Sequence, residues 1–103
     1  MSEQRREPRH ACNYAVRIEA PSGDLSGHLE NVSEHGAMLS VAGESPDAGA
    51  QVRVAVETSA AQASVVVDAR VCWASEVIPG LVGVRIEGDD EHWSALVRAA
   101  AGA

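Results

Sequence analysis

The sequence predicts a mainly β chain: a six-stranded antiparallel β-barrel with a flexible N-terminal arm and a short C-terminal α-helix. Three observations carry that expectation. The apolar residues of this 103-residue chain are chiefly Val and Ala, with no Phe and only Tyr14, Trp73 and Trp93 as aromatics. Stiff, β-branched Val packs well on a pleated surface and favours strands. The apolar residues also recur at alternating positions in six runs separated by turn residues, the pattern of an antiparallel barrel or sandwich. A barrel removes the exposed edges that such Val-rich strands would otherwise present. Only the last run changes period, from two to that of a helix. The length suits one domain over 1–103, with the arm at 1–13, the barrel at 14–87 and the helix at 89–100.

Residues 1–13 have no periodicity, and Pro8 disfavours helix at Glu7 and supplies no ladder donor. From Tyr14 the chain alternates, with Tyr14, Val16, Ile18 and Ala20 on one face and Ala15, Arg17 and Glu19 on the other. "PSGD" at 21–24 is a turn, and 25–32 forms a second strand with Leu25 and Leu29 inward. "SEHG" at 33–36 turns the chain into a third strand at 37–41, and 42–50 is a loop. "QVRVAVE" at 51–57 turns Val52, Val54 and Val56 inward. In the long strand at 63–74, Val65, Val67, Ala69, Val71 and Trp73 share one phase, and Cys72 is expected to line the core. A sixth strand at 81–87 presents Val82, Val84 and Ile86 inward. Asp89, Asp90 and Glu91 then open a helix whose stripe is Trp93, Leu96, Val97 and Ala100, expected to cap one barrel opening with Trp93.

Charge narrows the function. The net charge is −7, which argues against nucleic-acid polymers and anionic membranes, since both need a broad basic face. Yet residues 4–10, "QRREPRH", carry +2, leaving −9 on the rest. A small basic site on an acidic body suits a compact anion. Guanidinium is planar, always charged and forked, and it matches phosphate oxygens as well as guanine O6 and N7. Cys12 and Cys72 stand alone, with no C-x-x-C, and the opening residues contain no apolar signal segment. The expectation is a cytoplasmic protein with reduced thiols. His10-x-Cys12 offers two donors where a metal site needs three or four, so no metal is expected. His10, His28, His35 and His92 stand beside no recognisable nucleophile, and no enzyme activity is expected.

A second motif, "NVSEHG" at 31–36, follows the second strand. Asn31 carries an amide that donates and accepts in one plane, as a base edge requires. Ser33, two residues on, is expected on the same face of an extended chain, its hydroxyl in reach of a phosphate or base. Gly36 permits a positive φ or close approach of a ligand. Each motif alone has a plain reading, a solvated basic tail and an Asx-type turn.

Together, R-x-x-x-R at Arg5 and Arg9 and N-x-S-x-x-G at Asn31, Ser33 and Gly36 resemble the PilZ domain, a six-stranded barrel that acts as receptor for the bacterial second messenger cyclic di-GMP. The resemblance runs over essentially the whole chain, through "VDARVCWA" and "GLVGVRIE", where Ile86 stands in place of the family's common Phe. It implies that Arg5 and Arg9 grip phosphates and guanine edges, with Arg6 adding charge. It implies further that Asn31 and Ser33 hold a guanine and its phosphate against the barrel wall, and that Gly36 keeps the turn. His35, inside that turn, is read as solvated. The implied ligand is cyclic di-GMP, with no cofactor, and the implied output is a change of the arm passed to a separate protein partner. The alternative function is a ligand-independent protein-interaction adaptor on the same barrel. Binding of nucleic acid by a small barrel is a third class, disfavoured by the acidic body and the lack of a surface aromatic run.

Overall fold

The computed structural model describes residues 8–57, 65–87 and 91–102. Six strands, β1 (His10–Ala20), β2 (Gly23–Val32), β3 (Gly36–Val41), β4 (Gln51–Glu57), β5 (Val65–Ala74) and β6 (Leu81–Ile86), precede one helix, α1 (Glu91–Gly102). The strands close into an antiparallel barrel in the order β1-β2-β3-β6-β5-β4, with β4 returning to β1. One end of the barrel gathers the start of β1, the 33–35 turn and the end of β6. The other gathers the 21–22 and 75–80 turns and the 42–50 loop.

The alternation read in the sequence holds for most of each strand. Val16, Ile18, Leu29, Leu39, Val54, Val56, Val67 and Val82 are all at most 4% exposed and form one core. Trp93, Leu96, Val97 and Ala100 join that core from α1, which packs against β1 and β5. A 12-residue helix is marginal alone, so this burial is what holds it. At 1% exposure Trp93 is the largest buried side chain, and its indole N–H donates to the Ser33 carbonyl at 3.0 Å. The helix is thereby tied to the β2–β3 turn.

Three expectations change. β1 begins at His10 rather than Tyr14, because His10 and Ala11 pair with Val32 and Asn31 past a bulge. Trp73 is outside the core, at 43% exposure, and Cys72 is exposed rather than core-lining. Both follow from one extra residue in β5. Val71 pairs with Val84 and Trp73 with Gly83, so the strand accommodates Cys72 as a bulge and every later side chain changes face. A fourth difference is minor: Gly23, at φ +134°, joins β2, so the first hairpin turns on Pro21 and Ser22 alone.

Candidate functional site

The same bulge logic builds a site on the outer wall. In β2 the inward phase of Leu25, Gly27 and Leu29 would carry Asn31 into the core. One extra residue relieves this: Leu29 pairs with Leu39 and Asn31 with Met38, so Glu30 is accommodated as a bulge. Asn31 then shares the outward phase of Met38, while Val32 returns inward against Ala37. With the bulges in β1 and β5, all three register shifts of the barrel flank one region. Bulges are recurrent devices for re-aiming a side chain beside a functional site.

Arg9, on the exposed segment just before β1, donates from Nη1 to Asn31 Oδ1 at 2.9 Å. This bond unites the two halves of the sequence motif, 22 residues apart. A guanidinium has five N–H donors and an amide two, so one shared bond uses a fraction of their capacity.

Ser33 is 3% exposed, and its hydroxyl donates to the Gly36 carbonyl at 3.3 Å, alongside a backbone bond from Ser33 N–H to the same oxygen at 2.9 Å. The hydroxyl is thus engaged in holding the turn. Gly36 has no positive φ. A Cβ there would lie 3.1 Å from the Val84 carbonyl oxygen, so the missing side chain lets β3 lie close to β6. Arg5 and Arg6 lie outside the described residues.

Beside this turn is a cavity of about 250 Å³. Arg9, Ser33 and Gly36 line it, and so do His35, Trp73 and Arg85, which the sequence reading had assigned to no site. Arg85 pairs with Gly36 across β3–β6, which sets its side chain beside the motif turn. The indole of Trp73 lies across Gly83, where the absence of a side chain leaves it room. The lining contains arginine but no carboxylate, on a chain of net charge −7. The sequence signal for Arg85 and Trp73 was their motif context in β6 and β5. What hid Trp73 was the phase flip at Cys72, which no alternation pattern locates, and what hid Arg85 was its pairing with Gly36 across β3 and β6.

Cys12 is half-buried on β1, its thiol 3.7 Å from the Leu29 carbonyl. Burial pushes its pKa above the usual thiol value. The Glu30 carboxylate acts in the same sense, and a hydrogen bond with the Tyr14 backbone offsets part of the rise. Cys72 is exposed at the cavity rim. No group of three or more potential metal ligands occurs among the described residues.

On the outside of a closed six-stranded barrel, the Arg9–Asn31 hydrogen bond thus lies beside a cavity lined by Arg9, Arg85 and Trp73. The family model of the PilZ domain matches residues 3–102, and the chain belongs to the PilZ domain family. PilZ domains are regulatory binding domains rather than enzymes, and the family is one of cyclic di-GMP receptors. Solved structures share the fold. The PilZ domain of CeSA from a cellulose-synthesizing bacterium aligns with TM-score 0.67 at 17% identity, over 92% of this chain and 96% of that one. The Bacillus subtilis inhibitor of motility, MotI/DgrA, aligns with TM-score 0.75 at 15% identity, over 97% of this chain and 50% of that one. No curated protein sequence gives a significant match.

Proposed function

We propose that this chain is a cyclic di-GMP receptor module of the bacterial cytoplasm. The observation that carries the reading is the Arg9–Asn31 hydrogen bond, which joins the arginine motif to the N-x-S-x-x-G turn at the mouth of the basic cavity. Arg9 grips a phosphate or the guanine O6/N7 edge, and Asn31 presents its amide to the same base. Arg85 supplies a second guanidinium from the wall, and the half-exposed Trp73 indole offers a stacking face. Arg5 and Arg6 complete the grip from the arm. At about 250 Å³ the cavity falls below the roughly 300–1,000 Å³ usual for a whole small-molecule site. The wall therefore takes one part of the ligand, and the arm covers the rest.

On this reading Ser33 and Gly36 act through the turn they hold. The Ser33 carbonyl bonded to Trp93 also links that turn to α1. The module works by binding alone, without metal or cofactor, and hands its message to a separate protein partner. Nucleic-acid polymers and membrane insertion play no part, and no helix among the described residues is long and apolar enough to cross a membrane.

Calorimetric titration with cyclic di-GMP tests the reading directly, with GMP as control. Saturable binding of cyclic di-GMP that is lost in Arg9→Ala and Asn31→Ala supports it. Absence of saturable binding, or wild-type affinity in both variants, refutes it.

A further inference from the structure

The most exposed large apolar side chains among the described residues are found at the end of the barrel away from the motif turn, on the β5–β6 hairpin. Val77 is 87% exposed and Ile78 55% exposed, at consecutive positions. Single exposed apolar side chains are ordinary. Two adjacent ones followed by exposed Pro79, on a turn fixed in place, are a different case.

The turn is tightly built. Ser75 Oγ accepts the backbone N–H groups of Val77 at 3.1 Å and Ile78 at 2.9 Å. Ser75 N–H donates to the Leu81 carbonyl at 2.8 Å, and Val41 N–H donates to the Gly80 carbonyl at 2.8 Å, pinning the turn to the end of β3. Gly80, at φ +84° and packed against the Val41 backbone, is a position only glycine fills without strain. A preorganised tip loses little chain entropy when it docks, which is the main saving a rigid binding loop offers.

The surroundings select the partner. Glu76 flanks the tip, and the same end of the barrel carries exposed Glu19, Asp24, Glu44 and Asp47. Three arginines lie near this end: Arg53 is paired with Asp68 at 3.2 Å, Arg70 with Glu87 at 3.0 Å, and exposed Arg17 sits two residues before Glu19. Among the described residues, the five carboxylates thus still outnumber the one cation here without an ion pair. A small apolar tip inside an acidic collar complements an apolar pocket bordered by Lys or Arg. An anionic bilayer is repelled by the collar, and so is a second copy of this chain, which brings the same carboxylates. Two side chains are far less than the roughly 1,600 Å² of a standard interface, so they serve as the anchor and the collar as the polar rim.

We propose that Val77 and Ile78 form a docking anchor for a different protein that offers an apolar pocket rimmed by basic side chains. In the test, the full chain carries photoreactive benzoylphenylalanine at position 77, or at exposed Ala99 of α1 as control, in the cells that naturally make it. The adducted protein is identified by mass and purified, and its affinity for the unlabelled chain is measured at low and high salt.

The expected result is a heteromeric adduct at 77 and not at 99. Affinity should fall at least tenfold in a Val77→Ser, Ile78→Ser double variant with unchanged melting, and should fall with salt and with Glu76→Lys. Any of four results overturns the proposal: no adduct at 77 beyond the level at 99, an adduct only between copies of this chain, affinity indifferent to salt or to the double variant, or Ile78-dependent sedimentation with phosphatidylglycerol vesicles.

Discussion

Gly83→Ala puts the outer wall to a quantitative test. A Cβ at Gly83 would lie 2.7 Å from Trp73 Cζ2, and nearer still to Cε2 and Nε1. Carbon atoms pack at about 3.5–4.0 Å, so the indole must retreat by about 1 Å or swing away. It is free to do so, because it is 43% exposed. A Trp buries about 150–250 Å², so the covered part of Trp73 is on the order of 100 Å². At about 25 cal/mol per Å², complete eviction would cost about 2.5 kcal/mol, an upper bound given residual burial in the unfolded chain. Reduced unfolded-state entropy from Gly→Ala returns about 0.4–1 kcal/mol. The net loss is then at most about 1.5–2 kcal/mol, a fall of up to roughly 6–16 °C in melting midpoint for a domain of this size. Ligand affinity should suffer more. Base–aromatic stacking contributes about 1–3 kcal/mol, so displacing the indole should weaken cyclic di-GMP by about tenfold or more. Scanning calorimetry, acrylamide quenching of tryptophan fluorescence and nucleotide titration on the same sample separate these effects. Trp93 is buried, so increased quenching reports Trp73. Unchanged melting and quenching would show that the indole does not lie over Gly83. A displaced indole with unchanged affinity would remove Trp73 from the nucleotide site. Gly27→Ala is the contrasting case: its Cβ would lie 2.9 Å from the Ser40 carbonyl carbon and Val41 Cα, in backbone that cannot swing aside. It should unfold the barrel or lower its midpoint far more than Gly83→Ala.

Arg9 is exposed, so Arg9→Ala should weaken cyclic di-GMP by about tenfold or more while the melting midpoint stays within about 2 °C. Arg9→Lys should restore binding only in part, because ammonium lacks the fork, and titration of the three proteins decides. Trp93→Phe leaves the buried Ser33 carbonyl without its indole donor and opens space in the core. It should cost about 2–4 kcal/mol by urea denaturation, and a loss under about 0.5 kcal/mol would show that this bond does not hold α1 to the turn. Val67→Asp places a charge where exposure is 4% and should abolish the cooperative melt. Iodoacetamide at pH 8 should label exposed Cys72 before Cys12, whose raised pKa delays its thiolate to higher pH. Saturating cyclic di-GMP should slow labelling of Cys72 at the cavity rim, which peptide mass mapping reads directly.

What the sequence determined by itself was the architecture and the motif chemistry. Alternating apolar residues, Val above all in β4, β5 and β6, marked the strands, since burying one face of a sheet forces alternation along the chain. The change to helical spacing at Trp93 marked α1. The spacing of Arg5 and Arg9, and of Asn31, Ser33 and Gly36, carried the family resemblance, because the chemistry of guanidinium and amide is a property of the residues themselves. Tertiary structure decided which face several of those residues occupy. A β-bulge inserts one residue between two registers that are each locally regular, so its position is set by pairing with the neighbouring strand and leaves no mark in the alternation. That is why Trp73 read as core and proved to be wall, why Cys72 proved exposed, and how Asn31 escapes the inward phase of Leu29. Arg85 entered the site for a related reason. Its position beside Gly36 is a cross-strand fact between β3 and β6, almost fifty residues apart in the chain, and only closure of the barrel brings them together.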